Sequence, residues 1–398
     1  MRVCIFLDQF RFGGAERTLV RIANGLVGRG CEVDFLTRSL GHGAYLDTLD
    51  ERIILRTLGK VSELQLLAIL FRSRIIGIEG FIQLSRKLSM VTRATPKLAA
   101  YLKERKPDVL LTSLPNNNIT ALWARYLADE STRIVIREAN LVSRHFHSPS
   151  SLPPRLMSEW YKRADAIISV TDGVGDDLSA TLSIPRDRIQ TIFNPIDLGD
   201  IVEQAAFPPE HPWLLHKTDP VLISIGRMTE QKGFSNLLSA FTQASRKRSM
   251  RMLIIGHGKL RSDLEKEADR LGIRKQVDFL GHVANPYPLI ANSDLLVLSS
   301  LWEGLPNVLI EALACATPVV ATDCEGRGAR EILLDGKLGQ LVPPSEPGAL
   351  AAAIVNALGK DRQSSNETFL ALTRFEQDQI LDKYFEALSA HTSNAELP

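Results

Sequence analysis

A strand–helix–strand alternation runs through both halves of the chain, and it limits the possible folds more than any other feature. Residues 2–7 (RVCIFL) read as a strand, followed by the loop FRFGGAER, the helical stretch TLVRIANGLVGRG and a second strand, CEVDFLT. That spacing is a crossover connection, the building unit of a parallel sheet, because parallel neighbours need a dozen or more residues to return to the same end. Later strands are predicted at PDVLLTS, TRIVIRE, DAIISVT and IQTIFNP, and the stretch 60–105 carries apolar residues at helical spacing among many bases. Between Pro195 and Pro212 the pattern lapses into NPIDLGD and FPPEHPW, rich in proline as a domain linker is. It then restarts: PVLISIG, MRMLIIG, VDFLG, DLLVLSS and PVVAT read as strands, and NLLSAFTQA, KLRSDLEKEADRLG, PYPLIANS and NVLIEALAC as helices. The prediction is an α/β protein of two doubly wound Rossmann-like units, residues 1–200 and 201–372, with an amphipathic helix (FEQDQILDKYFEAL) in 373–398. Two such sheets in succession are expected to make a cleft between their carboxyl strand ends, where ligands of this architecture bind.

Charge separates the halves. The chain of 398 residues has a formal net charge of +1 and no nucleic-acid signature. Residues 1–200 hold 27 Lys and Arg against 22 Asp and Glu, and the remainder 20 against 24. Arg52 to Lys106 alone contains 12 basic and 3 acidic residues. That stretch is either a solvated basic face or a patch for anionic lipid head groups or a phosphate-bearing acceptor. Within it, FRSRIIGIEGFIQLSRKL mixes Phe, Ile and Leu with Arg and Lys as an interfacial helix does. Cys4, Cys31, Cys315 and Cys324 form no CxxC pair and read as free thiols of a reducing compartment. The amino terminus lacks the apolar stretch of a signal peptide, and no run approaches 18 apolar residues without a charge. A cytoplasmic protein, peripheral on the inner face of the membrane if the basic stretch docks there, is the expectation.

Four segments carry chemistry. In SIGRMTEQKG a strand ends at Gly226, which puts Arg227 at its carboxyl end and Lys232 across a short turn closed by Gly233. A guanidinium fork beside a compact ammonium suits a diphosphate. In LIIGHG a strand breaks at Gly256 into a turn that permits close backbone approach. In WEGLPNVLIEALAC, the loop Gly304, Leu305, Pro306 and Asn307 opens a helix whose first amides favour phosphate. Glu303 precedes that helix and Glu311 lies about one turn into it. Two carboxylates flanking an anion-binding helix start need partners of their own, such as sugar or ribose hydroxyls. In the first half, Gly13 and Gly14 of FGGAER sit between the first strand and helix; the third glycine of a dinucleotide fingerprint is missing.

Taken together, SIGRMTEQKG, LIIGHG, LGHVANPYPLIANSDLLVLSSLWEGLPNVLIEALA, TPVVATD and LGQLVPP resemble the retaining GT-B glycosyltransferases of family four. The resemblance is strongest from about 220 to 345, with GGAER and IFNPID in support, and Glu303-x7-Glu311 is the family's signature. It implies two Rossmann-like domains with the final helix crossing back onto the first. Arg227 and Lys232 then neutralise the departing diphosphate, Glu303 faces the sugar and Glu311 holds the ribose. Gly13, Gly14, Gly256, Val283, Gly304, Leu305, Asn307 and Val308 become donor-site positions. The chain has no D-x-D motif, so no metal or other cofactor is expected beyond a nucleotide diphosphate sugar as co-substrate. Uridine diphosphate is the expected carrier from family frequency.

The chain departs from the pattern at Ala316, where many relatives have glycine, and at the first-domain histidine that many place near the sugar. Here SLPNNN (113–118) and REAN (137–140) occupy the strand ends. They resemble the sub-group acting on N-acetylated or galacto-configured sugars for surface polysaccharides or lipid-linked oligosaccharides. Arg17, Asn117, Arg137, Glu138 and Asn140 are therefore candidate sugar or acceptor contacts, with His145 and His147 weaker ones. The expected activity is transfer of a hexose or N-acetylhexosamine to a lipid-linked or polysaccharide acceptor. A nucleotide-sugar epimerase on the same scaffold and a non-catalytic, membrane-docked assembly protein are the alternatives.

Overall fold

The computed structural model describes residues 1–10, 13–41, 43, 45–73, 90–146, 152–359 and 366–390. The chain divides into two compact units, Met1–Pro195 together with Asp378–Pro398, and Ile196–Gln377. The sequence reading set these divisions at 200 and 372.

The first unit is a parallel sheet of β1 (Arg2–Gln9), β2 (Glu32–Ser39), β3 (Ile54–Thr57), β4 (Val109–Ser113), β5 (Arg133–Glu138), β6 (Ala166–Ser169) and β7 (Ile189–Thr191). Their spatial order is β3-β2-β1-β4-β5-β6-β7, every pair parallel. Strands β1 and β4 read as unbroken apolar runs because helices cover both faces of the sheet. On one face, α1 (Gly14–Gly28) packs Leu19, Ile22 and Leu26 against Val3, Ile5 and Phe35. On the other, α2 (Glu63–Arg72), α3 (Thr95–Arg105), α4 (Pro115–Ala128), α5 (Pro154–Tyr161) and α6 (Asp172–Leu182) bury Leu66, Leu70, Leu98, Trp123 and Leu178. The start of α2 is set by a capping box in which the Ser62 hydroxyl accepts from the Gln65 amide, 3.2 Å, and the Gln65 side chain accepts from the Ser62 amide, 3.1 Å.

The second unit has β8 (Val221–Ile225), β9 (Arg251–Ile255), β10 (Val277–Gly281), β11 (Leu295–Leu298), β12 (Val319–Thr322) and β13 (Gln340–Val342). Their order is β10-β9-β8-β11-β12-β13, again all parallel. Helices α7 (Phe234–Ser245), α8 (Arg261–Arg270), α9 (Asn307–Ala314) and α10 (Pro347–Ala357) flank it. The terminal helix, α11 (Gln377–Ser389), returns to the first unit and adds Ile380, Leu381, Tyr384 and Leu388 to the cluster around Val3 and Ile5.

Two strands lie outside the sequence reading. Strand β3 is a four-residue edge strand with Ile54 and Leu55 exposed, and β13 lies inside LGQLVPP, a segment noted for its motif alone. Ala316 is the residue after the cap of α9 and adopts φ +55°. The Ala316 and Thr317 amides donate to the Leu313 and Ala312 carbonyls at 3.0 and 2.8 Å, a Schellman closure that favours glycine. The departure from the family pattern thus sits where an alanine is strained.

Candidate functional site

In the second unit, chemistry gathers at the carboxyl ends of β8 and β11, the neighbours between which the strand order reverses. The backbone there is drawn in tightly. A Cβ on Gly256, at φ +138°, would fall 1.9 Å from the Gly226 carbonyl oxygen, and one on Gly233, at φ +59°, 2.2 Å from that of Ser299. Only glycine permits both approaches. The second locks the turn carrying Lys232 onto the loop after β11, as does the Ser299 hydroxyl, which donates to the Lys232 carbonyl at 2.8 Å.

Arg227 follows β8 with its side chain exposed, and among the described residues its guanidinium has no hydrogen-bond or ion-pair partner. Lys232 is mostly covered and pairs with Glu303, whose side chain is 8% exposed. The Ser300 hydroxyl donates to Glu303 Oε1 at 2.7 Å, and the Gln231 amide lies 3.4 Å from Oε2. Burial, with the Glu303 carboxylate adding to it, pushes the nearby Cys324 thiol up to about 12. The cysteine therefore stays neutral beside the ion pair.

Gly304, Leu305, Asn307 and Val308 are buried, and among the described residues no side-chain hydrogen bond caps the start of α9, where the Leu309 amide donates to the Pro306 carbonyl at 2.9 Å. The loop is backed by Gly328, where a Cβ would fall 1.8 Å from the Gly304 carbonyl oxygen. Glu311 lies on α9 at 4% exposure. Val283 and Gly256 are half-buried in the turns after β10 and β9. The structure thus brings Lys232 and Glu303 into contact and sets Arg227 and α9 on the same end of one sheet. Ser300, Gln231 and Gly328 were not singled out from sequence; a serine three residues before Glu303 and a glutamine beside Lys232 were the signals available.

In the first unit, Gly13 caps α1 and Gly14 opens it with open space at its Cβ position, while Arg17 is half-buried. Phe12 and His147 lie outside the described residues. Arg137 and Glu138, expected as sugar or acceptor contacts, are both fully buried within the first unit. Arg137 donates to the Tyr384 hydroxyl and the Ser113 hydroxyl, each at 2.9 Å, and to Asn194. Glu138 Oε1 accepts from Asn118 at 2.7 Å and from Tyr161. Burial raises the Glu138 carboxyl to about 8, against the pull of these donors. Together they tie β4, β5, the end of the unit at Asn194 and α11 into one network. Asn117 is likewise buried and donates to the Ser113 carbonyl at 2.9 Å, and Asn140 accepts from the Leu141 amide at 2.9 Å. His145 is half-buried, and burial lowers the pKa of its ring.

The basic stretch is partly neutralised from within. Arg93 pairs with Glu63, and Arg56 and Arg105 approach Asp34 at 3.6 and 3.9 Å. Residues 74–89, the centre of the amphipathic segment, lie outside the described residues. Leu64 and Phe71 of α2 stand 80% and 49% exposed beside Arg72. Among the described residues no helix is long and apolar enough to cross a membrane.

Residues 219–360 match the family model described as glycosyl transferases group 1, and residues 12–200 match glycosyltransferase family 4. An N-acetylgalactosamine-N,N'-diacetylbacillosaminyl-diphospho-undecaprenol 4-alpha-N-acetylgalactosaminyltransferase of Campylobacter jejuni is 31% identical over 64% of this chain and 68% of that one. The lipopolysaccharide core biosynthesis glycosyltransferase LpsE of Rhizobium meliloti is 27% identical over 95% and 96% of the two chains. The crystal structure of Anabaena HepE in complex with UDP and glucose superposes with a TM-score of 0.76 at 21% identity, covering 98% of this chain and 99% of that one. At that identity the likeness shows the fold alone.

Proposed function

The chain belongs to the family 4 glycosyltransferases of the GT-B fold, and from that premise we propose a retaining, metal-independent transfer of a hexose or N-acetylhexosamine. The donor is a nucleotide diphosphate sugar carried on uridine, and the acceptor a lipid-linked or polysaccharide glycan. One observation carries this reading. The loop after β8 supplies a guanidinium at Arg227 with no partner among the described residues, and the loop after β11 supplies Glu303 against Lys232 and opens α9. Breaking the sugar–phosphate bond builds negative charge on the leaving diphosphate. Arg227, Lys232 and the first amides of α9 are fixed positive groups on which that charge can settle. Glu303 faces the sugar ring and Glu311 accepts from the ribose hydroxyls, while Gly256 and Val283 let the backbone close on the donor. Because the cations supply the charge neutralisation themselves, no metal ion is assigned to the step. Retention, with the acceptor attacking the face the diphosphate leaves, follows from the family.

The Campylobacter relative's undecaprenol-linked name and the LpsE relative's role in lipopolysaccharide core synthesis support an acceptor on a lipid or surface glycan. An anionic membrane surface is the matching location, and exposed Leu64 and Phe71 beside Arg72 are the described part of the docking face. Sedimentation with anionic liposomes at low salt tests this, and a protein that stays in the supernatant refutes it. For the donor site, thermal shift against nucleoside diphosphates comes first, since a ligand of the native state raises its stability. Transfer from the best donor is then expected to vanish in Arg227→Ala, Lys232→Ala and Glu311→Ala. Full activity in all three removes the assignment, and an epimerised nucleotide sugar formed without acceptor would point to an isomerase.

A further inference from the structure

The Glu303 carboxylate is held by three side chains, and donor chemistry accounts for only one of them. Lys232 and the Ser300 hydroxyl share Oε1, while Gln231 lies 3.4 Å from Oε2 and donates to the Trp302 carbonyl at 3.1 Å. The Gln231 main-chain carbonyl in turn accepts from the Leu301 amide at 2.8 Å, so this one residue grips the two loop residues that lead into Glu303. Ser300 is fully buried, and its own carbonyl accepts from the Thr322 hydroxyl at 2.5 Å, which fixes the place from which its hydroxyl points.

We propose that Ser300 and Gln231 are positioning residues that keep the Glu303 carboxylate aimed at the transferred sugar while Lys232 turns to the diphosphate. The proposal rests on the glycosyltransferase reading above. An ammonium drawn to a diphosphate weakens its hold on a neighbouring carboxylate. Were Lys232 the sole anchor, Glu303 would lose its orientation at the moment the donor arrived. Ser300 and Gln231 are uncharged, gain little from a phosphate, and stay with the carboxylate. A carboxylate offers about four lone-pair sites. Ser300 and Lys232 occupy Oε1, and the long Gln231 contact leaves room on Oε2 for a sugar hydroxyl.

The test uses the purified full chain with UDP as binding probe and the best nucleotide sugar from the screen as donor. Ser300→Ala and Gln231→Met are each expected to lower kcat about tenfold, as losing a hydrogen bond to a charged group does, with donor KM and UDP Kd unchanged. Ser300→Ala added to Glu303→Gln costs nothing further, since both remove one function. Wild-type kcat in both single variants overturns the proposal. So does a loss that adds to that of Glu303→Gln, or one matched by a weaker UDP Kd or a lowered melting temperature. If Ser300→Ala does not fold, Gln231→Met carries the test alone. A wild-type chain that neither binds UDP nor turns over any nucleotide sugar removes the glycosyltransferase reading itself, and the proposal falls with it.

Discussion

Replacing Glu138 by glutamine should change how stability depends on pH in a way that no surface carboxylate would. Its carboxyl is fully buried and rises from an ordinary 4.5 to about 8, chiefly by desolvation, with Asp177 adding to the rise and Tyr161, Asn118 and Arg137 opposing it. Between those two values the unfolded chain releases a proton that the native chain retains. The stabilising contribution of the neutral form is therefore complete below pH 4.5 and is lost as pH climbs through 8. Each pH unit inside that window costs up to about 1.4 kcal/mol, so from pH 5 to pH 8 the native state gives up about 3 kcal/mol. Glutamine keeps an oxygen for Asn118 and Tyr161 but puts an amide where Oε2 has no partner among the described residues. An unpaired buried donor costs about 1–3 kcal/mol at every pH. Glu138→Gln is thus expected to be the less stable protein near pH 5 and the more stable near pH 8. The measurement is urea unfolding at half-unit pH steps, read by hydrogen exchange in the peptides of β5. That readout separates the first unit from the second, whose transition need not coincide. Curves for the two proteins that run parallel from pH 5 to pH 8 would refute the reasoning.

Ala316→Gly should raise stability by about 1 kcal/mol, because the residue sits at φ +55° in a closure suited to glycine; an unchanged or lower melting temperature counts against it. Gly233→Ala should lower stability by at least about 2 kcal/mol and weaken UDP binding in calorimetry, since its Cβ meets the Ser299 carbonyl at 2.2 Å on the turn that carries Lys232. Wild-type affinity in that variant would separate the turn from the donor site. Tyr384→Phe leaves buried Arg137 Nε without its 2.9 Å partner and should cost about 1–3 kcal/mol in urea denaturation, whereas a loss below about 0.5 kcal/mol would mean the hydroxyl is expendable.

The periodicity was enough to read most of both sheets, since VCIFL and LLVL are apolar throughout, VLISI is apolar but for Ser224, and each is buried on two faces. The edge strand β3 escaped because, with Ile54 and Leu55 exposed, it carries no burial pattern to detect. The second unit's candidate site rests on Arg227, Lys232, Glu303 and Glu311, charges beside glycine turns, which are a local signal. The first unit offers no such local signal. In REAN the same kind of charged pair, Arg137 and Glu138, points inward to Asn118, Asn194, Tyr161 and Tyr384, residues scattered along the chain. A buried charge and a ligand-facing charge look alike until the partners that satisfy it are placed.

The return of α11 to the first unit has a consequence for how the protein is made. Gly25 is keyed to that helix, for a Cβ there would lie 2.2 Å from Leu381 Cδ1, and Tyr384 and Leu388 fill the cluster around Val3 and Ile5. The amino-terminal sheet leaves the ribosome first, yet the part of its apolar face that α11 fills stays uncovered until the whole of the second unit has been translated. Synthesis therefore reverses the usual order of domain maturation: the unit begun first is the unit finished last. During that interval a nascent chain exposes the apolar positions around Val3 and Ile5 that Tyr384 and Leu388 later cover.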